Sequence, residues 1–145
     1  MLHIATASLS SLVSPPGTRD IGTLRISELG LGTLNLALDK TEDPAAAAAL
    51  RSALDAGCNF VDTAEAYGFG TSEKLTRWAA AEVGIGIGCG EGELKVATKF
   101  APVPWRPDAD SVVEACRASA ERLGVSQVPL YQASPVEIVH ASTNR

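Results

Sequence analysis

Short apolar runs along the chain end abruptly in polar residues and alternate with longer, amphipathic segments. The runs Asn59–Val61, Leu94–Thr98 and Val128–Tyr131 each predict a buried strand, because a short apolar stretch bounded by polar or turn residues is typical of a parallel sheet. Upstream, Leu24–Ile26 and Leu29–Leu36 predict a hairpin that leads into a first buried strand. We therefore expect an N-terminal hairpin followed by four parallel strands.

The segment after the first predicted strand carries the start and stop signals of a helix. Asp43 is a favourable N-cap, Pro44 fits the first helical position, and an alanine-rich run continues to Asp55. Gly57 is placed to end the helix, because glycine readily adopts the left-handed conformation of a helix C-terminus. The first predicted strand is thus followed by a helix.

Two further helices follow the second and third strands. Ser72 is the predicted cap of a helix that runs to about Val83. The next helix is expected to begin at Asp108 or Asp110 and to end at Gly124. Strands and helices therefore alternate at the spacing of βαβ units, which favours a parallel sheet with right-handed crossovers.

Glycine occupies every second position from Gly84 to Gly90, so this segment is predicted to be a flexible loop. Glycine-rich loops can bind phosphate, but such a loop has to follow a strand and open a helix. This one follows a helix and precedes a strand, which argues against phosphate binding there.

Composition narrows the classes of function. The chain has 145 residues and a net charge of −5, so a polyanionic partner such as nucleic acid is not expected. No segment has the uninterrupted run of about 20 apolar residues that a membrane span needs. The cysteines Cys58, Cys89 and Cys116 are far apart and have no metal-ligand spacing. We expect buried or half-buried free thiols in a reducing compartment, and no metal site.

The two ends of the chain differ in composition from its middle. Residues 1–20 are predicted to be an N-terminal tail, since the first part is rich in serine and poor in acidic residues. That composition is compatible with a transit-peptide remnant or with an ordinary disordered tail. Residues 21–133 form the expected domain, and residues 134–145 form a divergent C-terminal tail. A cytoplasmic and a plastid location both remain open.

Three titratable residues are expected at neighbouring strand ends. Asp62 follows the second strand, Tyr67 lies in the loop after it, and Lys99 follows the third strand. Functional groups collect at the carboxyl ends of parallel strands, and adjacent strands are about 4.8 Å apart. A nearby ammonium favours ionisation of a phenol, and a carboxylate can hold that ammonium in place. The sequence thus predicts a site at which Tyr67 donates a proton to a carbonyl oxygen as hydride arrives at its carbon.

Simpler interpretations of the same residues stay open at this point. Asp62 or Thr63 could cap a short turn, with Glu65 supporting that turn. Tyr67 could belong to an ordinary amphipathic turn, and Lys99 could be a solvated charge at the end of the sheet. An unrelated small α/β binding domain with an incidental triad is therefore also compatible with the sequence.

Several motifs together resemble the N-terminal half of the aldo-keto reductases, over Leu24 to Gln132. The matching segments are Leu29–Thr33, Phe60–Gly68, Ser72–Leu75, Val96–Lys99, Arg122–Gly124 and Leu130–Gln132. Further segments are similar to the pyridoxal reductase-like branch of the family, whose members are often located in plastids. These are Lys99–Ala101, Pro104–Arg106 and Cys116–Ser119.

The resemblance implies a fold, a cofactor and roles for residues. The fold would be a partial (β/α)8 TIM barrel, about its first four βα units, in the α/β class. Members of the family reduce aldehydes or ketones with NADPH, so the implied partners are NADPH and a small carbonyl substrate. Asp62, Tyr67 and Lys99 would be the catalytic residues. In the family these three residues belong to a catalytic tetrad, whose fourth member is a histidine after the Leu-Tyr-Gln of strand four. That histidine has no counterpart here, and His140 lies too far along the chain to replace it.

The length also bears on activity. A complete barrel of this type has about 250 residues, and the family builds its cofactor site mainly in the second half of the barrel. We expect a truncated chain that is not a competent reductase alone, with open sheet edges through which it could self-associate. The alternative is a catalytically inactive fragment that acts as an interaction or regulatory subunit.

Overall fold

An antiparallel hairpin opens the folded part of the chain. A computed structural model describes residues 14–36, 40–106 and 108–133. Strand β1 (Thr18–Ile21) pairs with β2 (Leu24–Ser27), and Gly22 makes the turn between them with a φ of 60°. Side chains of β2 are largely buried, whereas those of β1 are exposed. The hairpin is joined to the rest of the fold at Asn59, whose Oδ1 atom accepts a hydrogen bond from the Ser27 amide over 2.7 Å.

A four-stranded parallel sheet follows the hairpin. Its strands are β3 (Leu31–Gly32), β4 (Phe60–Asp62), β5 (Lys95–Phe100) and β6 (Leu130–Ala133), adjacent in that order. All three pairings are parallel, so the carboxyl ends of the strands form a common rim. Strand order equals chain order, which is the arrangement expected for successive βα units of a barrel.

One helix connects each pair of neighbouring strands. Helix α1 spans Pro44–Asp55, α2 spans Thr71–Val83 and α3 spans Ala109–Leu123. The predicted ends are confirmed at α1, where Asp43 accepts a hydrogen bond from the Ala45 amide. They are also confirmed at α3, where Asp108 is the cap of the two candidates and Gly124 ends the helix in the left-handed conformation. No helix in the described ranges combines the length and apolarity needed to cross a bilayer.

The core lies between the sheet and the helices. Its fully buried members are Leu50, Val61, Ala79, Ala80, Leu94, Val96 and Leu123. They come from all three helices and from the two central strands or the residues next to them, so packing fixes each helix against the sheet. Burying a leucine side chain contributes about 1.5–3 kcal/mol, which makes this cluster the main source of stability for the sheet that supports the rim.

Some predicted strands differ from the observed ones. The expected N-terminal hairpin is present, and in it β2 pairs with the preceding strand, β1. That strand has exposed side chains throughout and thus no alternating pattern to reveal it, and it begins at Thr18, inside the predicted tail. The long first strand, Leu29–Leu36, shrinks to Leu31–Gly32. The other strands start and end within about two residues of their predicted bounds.

The predicted burial of the cysteines is confirmed for two of the three. All three are free thiols, and Cys58 and Cys116 are half-buried, as expected. Burial raises the pKa of the Cys116 thiol above its usual value. Cys89 was wrongly predicted to be buried or half-buried, because it lies exposed in the glycine-rich connection, where no helix or strand covers it.

Candidate active site

Asp62 and Lys99 meet at the rim of the sheet. Asp62 is the last residue of β4, and Lys99 lies near the end of the neighbouring strand β5. The Lys99 ammonium donates to Asp62 Oδ2 over 2.7 Å and to the Thr63 carbonyl over 2.9 Å. The predicted approach of these two side chains is confirmed. The interpretation of Lys99 as a solvated charge is wrong, because its side chain is only 15% exposed.

Tyr67 packs against the same ammonium. The Lys99 Nζ atom lies 5.1 Å from the centroid of the Tyr67 ring, within the range of a cation–π contact. Two protein oxygens accept from the ammonium, which has three donor hydrogens. The structure thus brings all three predicted residues together, with Lys99 between the carboxylate and the phenol ring. This grouping can hold a positive charge beside a phenol.

A chain of hydroxyl groups fixes the strand ends below the rim. Ser72 Oγ donates to Thr33 Oγ1 over 2.7 Å, and Thr63 Oγ1 donates to Ser72 Oγ over 3.0 Å. Ser72 was predicted to cap α2, and this prediction is wrong. The helix begins at Thr71, with Gly70 at its N-cap position. The buried Ser72 hydroxyl instead ties the helix to the ends of β3 and β4.

A buried ion pair attaches α2 to α3 behind the sheet. The Glu73 side chain is fully buried, and its carboxylate accepts from Thr98 Oγ1 over 2.6 Å and from Arg122 Nε. Thr98 precedes Lys99, and successive residues of a strand point to opposite faces. Thr98 therefore anchors β5 on the helix side, and Lys99 faces the rim.

A second ion pair joins the two loops that border the site. Glu65 Oε1 accepts from Arg106 Nη1 over 2.6 Å and from the Ala101 amide over 2.7 Å. The sequence assigned Glu65 only a supporting role in a turn and gave Arg106 none. The only clue to this pair in the sequence was the position of Glu65 between Asp62 and Tyr67. Its partner Arg106 lies in the next loop, so the pairing is visible only in the folded chain.

Large apolar side chains are exposed on the loops of the same rim. Leu34 follows β3, Phe69 follows β4 and Trp105 follows β5; Phe69 is 99% exposed. Phe69 also has a φ of 52° and lies between Gly68 and Gly70, which have positive φ as well. A bulky residue rarely adopts this conformation, so the loop holds Phe69 at a conformational cost.

The glycine-rich connection between α2 and β5 is not arranged to bind phosphate. The Gly90 amide donates to the carboxylate of Glu93, and the Lys95 ammonium donates to the carbonyls of Gly90 and Glu93. An amide that would face an anion is thus already bonded to a carboxylate. The Gly90 amide is therefore not free to face a phosphate.

The position after β6 bears on the missing histidine. Gln132 of β6 is in register with Lys99, and β6 ends at Ala133. Ser134, Pro135 and His140 lie outside the described residues, so the prediction about His140 remains untested. On the helix side of β6, the buried Tyr131 hydroxyl has no hydrogen-bond partner among the described residues, and burial raises the pKa of Tyr131 to about 12.

Comparison with known proteins agrees with this geometry. The model of the aldo/keto reductase family matches residues 28–140. The chain belongs to this family. It is 36% identical over 122 residues to a chloroplastic pyridoxal reductase of Arabidopsis thaliana, a match that covers 77% of this chain and 33% of the relative. The chain spans about a third of the length of the curated relatives that it matches.

Solved structures lead to the same family. An aldo-keto reductase of Klebsiella pneumoniae in complex with NADPH aligns with a TM-score of 0.55 and 26% identity, over 74% of this chain and 34% of that one. The holo form of an aldo-keto reductase of Bacillus halodurans aligns with a TM-score of 0.60 and 28% identity, over 80% of this chain and 39% of that one. The predicted fold class is confirmed: the hairpin and the parallel sheet correspond to a partial (β/α)8 barrel.

Proposed function

We propose that the chain carries the proton-donating part of an NADPH-dependent reductase that converts an aldehyde or ketone to an alcohol. Tyr67 would donate the proton to the carbonyl oxygen, Lys99 would favour the phenolate that results, and Asp62 would orient Lys99. The observation that carries the proposal is the position of the Lys99 ammonium, 2.7 Å from Asp62 Oδ2 and 5.1 Å from the Tyr67 ring centroid.

The reductant is proposed from the relatives. NADPH is named in the complex of the Klebsiella protein, whereas the contacts that support the proposal in this chain are those around Tyr67 and Lys99. The proposal for this chain is therefore limited to the proton and to the orientation of the carbonyl group. A plastid and a cytoplasmic location are both compatible with it, the former because the Arabidopsis relative is named chloroplastic.

The test begins with NADPH binding by the purified chain. Fluorescence titration is paired with a measurement of its mass in solution, followed by NADPH oxidation in the presence of small aldehydes and ketones. Saturable binding by an assembled species, with an oxidation rate that falls at least about a hundredfold in Tyr67→Phe, would support the proposal, since general acid catalysis contributes in this range. Equal rates in the two proteins would refute the role of Tyr67.

A second candidate, an interaction or regulatory subunit, is favoured by one observation. Within the described ranges, β3 and β6 each pair with a neighbour on one side only. Unpaired strand edges are templates for association, and a second copy of the chain could cover them. A well-folded, NADPH-free species with twice the monomer mass would favour this candidate over the reductase. A folded monomer without NADPH binding would argue against both candidates.

A further inference from the structure

Glu65 is bonded through both its backbone and its side chain to the end of β5. Its amide donates to the Lys99 carbonyl over 3.3 Å, and its carboxylate accepts from the Ala101 amide over 2.7 Å. The side chain is only 9% exposed, so its charge is nearly removed from water. Buried carboxylates need charged or hydrogen-bonded partners, and Glu65 has both kinds.

Arg106 provides the charged partner from the far side of the next loop. It donates to Glu65 Oε1 over 2.6 Å, its guanidinium carbon lies 5.7 Å from the centroid of the Phe100 ring, and its amide donates to the Val103 carbonyl over 2.9 Å. The loop after β5 is thereby folded back onto the strand end. A charge-assisted bond of this kind is stronger than a neutral one, and its geometry is more specific.

The position of Glu65 in the chain connects this pair to the candidate site. Asp62 lies three residues before it, and Tyr67 lies two residues after it. The Tyr67 amide donates to the Ala64 carbonyl over 3.1 Å, so residues 64–67 form one turn that contains Glu65. Because one short turn joins the two residues, a shift of Glu65 relative to β5 is expected to displace Tyr67 relative to Lys99.

We propose that Glu65 and Arg106 are a positioning pair that holds the Tyr67 ring against the Lys99 ammonium. The proposal rests on the proposed function for its catalytic consequence, but the positioning itself is a property of the folded chain. Neither residue is proposed to touch the substrate. Both act through the loop that carries Tyr67 and through the strand that carries Lys99.

Nuclear magnetic resonance can test the positioning without any activity. Since the Lys99 Nζ atom lies 5.1 Å from the Tyr67 ring centroid, the ring current should shift the resonances of the adjacent Lys99 methylene, and Tyr67→Leu defines their position without the ring. Glu65→Gln and Arg106→Met are expected to move these resonances most of the way to the Tyr67→Leu position. Arg106→Met keeps an apolar chain over Phe100 and removes only the guanidinium.

Glu28→Gln is the matched control, because it removes the charge of another ion pair, Arg19–Glu28, in the exposed hairpin. It should leave the Lys99 resonances unchanged. Circular dichroism establishes that each variant is folded, and a variant that unfolds is replaced by Arg106→Lys, which keeps the charge but should shift the resonances only in part. Unchanged Lys99 resonances in folded Glu65→Gln and Arg106→Met would overturn the proposal.

The kinetic measurement separates this inference from the proposed function. In a chain that reduces carbonyls, kcat should fall between about tenfold and a hundredfold in Glu65→Gln, as expected for a small misplacement of a reacting group. KM should change by less than about twofold, because substrate binding is not removed. An inactive wild type, together with shifted Lys99 resonances in Glu65→Gln and Arg106→Met, would refute the reductase and keep the positioning pair. Full kcat in the variants, with shifted resonances, would refute the catalytic consequence alone.

Discussion

Lys99 and Asp62 reach each other from neighbouring parallel strands, with the ammonium 2.7 Å from Oδ2 and its side chain mostly buried. The Asp62 side chain is 40% exposed, so the pair lies at the boundary between the core and solvent. Its position makes it both a structural contact between β4 and β5 and the centre of the candidate site.

The first prediction concerns the strength of this pair. In a double-mutant cycle with Asp62→Asn and Lys99→Met, we expect a coupling free energy of about 1–2 kcal/mol, because partial burial reduces screening by water. Urea unfolding of the four proteins measures it. The exposed pair Arg19–Glu28, treated in the same way, should give less than about 0.5 kcal/mol. Equal coupling in the two pairs would contradict the prediction.

The second prediction concerns the buried carboxylate of Glu73. Arg122→Met leaves that carboxylate with Thr98 as its remaining side-chain partner, and we expect a loss of about 3 kcal/mol in the free energy of unfolding. The double variant Glu73→Leu/Arg122→Met should recover much of this loss, because it also removes the buried charge. Denaturant unfolding distinguishes the two. A double variant that is less stable than Arg122→Met alone would contradict the expectation.

The third prediction uses the strained conformation of Phe69. Asparagine tolerates positive φ better than phenylalanine, and the almost fully exposed ring contributes no burial. Phe69→Asn should therefore raise the free energy of unfolding by about 0.5–1 kcal/mol. Phe69→Ala, which keeps a Cβ atom, should be close to neutral. A thermal melt of both variants decides the matter, and a destabilised Phe69→Asn would show that the ring makes a stabilising contact.

The fourth prediction is a dependence of stability on acid pH at the start of α3. Bonds from the Ser111 hydroxyl and amide to the Asp108 carboxylate hold the pKa of Asp108 below its ordinary value of 3.8. A lowered pKa in the folded state stabilises the fold above the unfolded value, and this stability is lost as the pH falls through the folded value. Stability of the wild type should thus decrease below about pH 4.

Asp108→Asn provides the matched control, since asparagine keeps a cap acceptor and does not titrate. Its free energy of unfolding should change less between pH 5 and pH 2 than that of the wild type. Denaturant unfolding at several pH values in this range measures the difference. Curves that run parallel for the two proteins would exclude Asp108 as a source of the acid dependence.

The fifth prediction concerns alkaline pH and the buried hydroxyl of Tyr131. Burial raises the pKa of Tyr131 to about 12, so the folded state keeps its proton where the unfolded chain releases it. Stability attributable to this group is complete below about pH 10 and is lost as the pH rises through the folded value. Tyr131→Phe should reduce this loss of stability at high pH and change stability little at neutral pH, since the hydroxyl has no hydrogen-bond partner in the part of the chain that the structure describes. Thermal unfolding from pH 8 to pH 11 is the measurement, and identical slopes would count against it.

Local sequence patterns predicted most of the helices and strands. Asp43, Asp108 and Gly124 mark helix ends through interactions within a few residues, so they could be recognised without a fold. The exposed strand β1 could not be recognised from the sequence, because it is defined by its pairing with β2 and not by a pattern of its own side chains. Ser72 was misassigned for a related reason: its partner, Thr33, is distant in sequence.

The sequence by itself determined the alternation of four parallel strands with three helices, the family, and the three residues Asp62, Tyr67 and Lys99 of the candidate site. These follow from apolar periodicity and short motifs, which act over a few residues. Only the tertiary structure decided that Lys99 lies between a carboxylate and an aromatic ring, and that Glu65 joins Arg106 across two loops. Such contacts depend on the register of neighbouring strands and on the paths of loops, which are set when the whole sheet and its helices pack together.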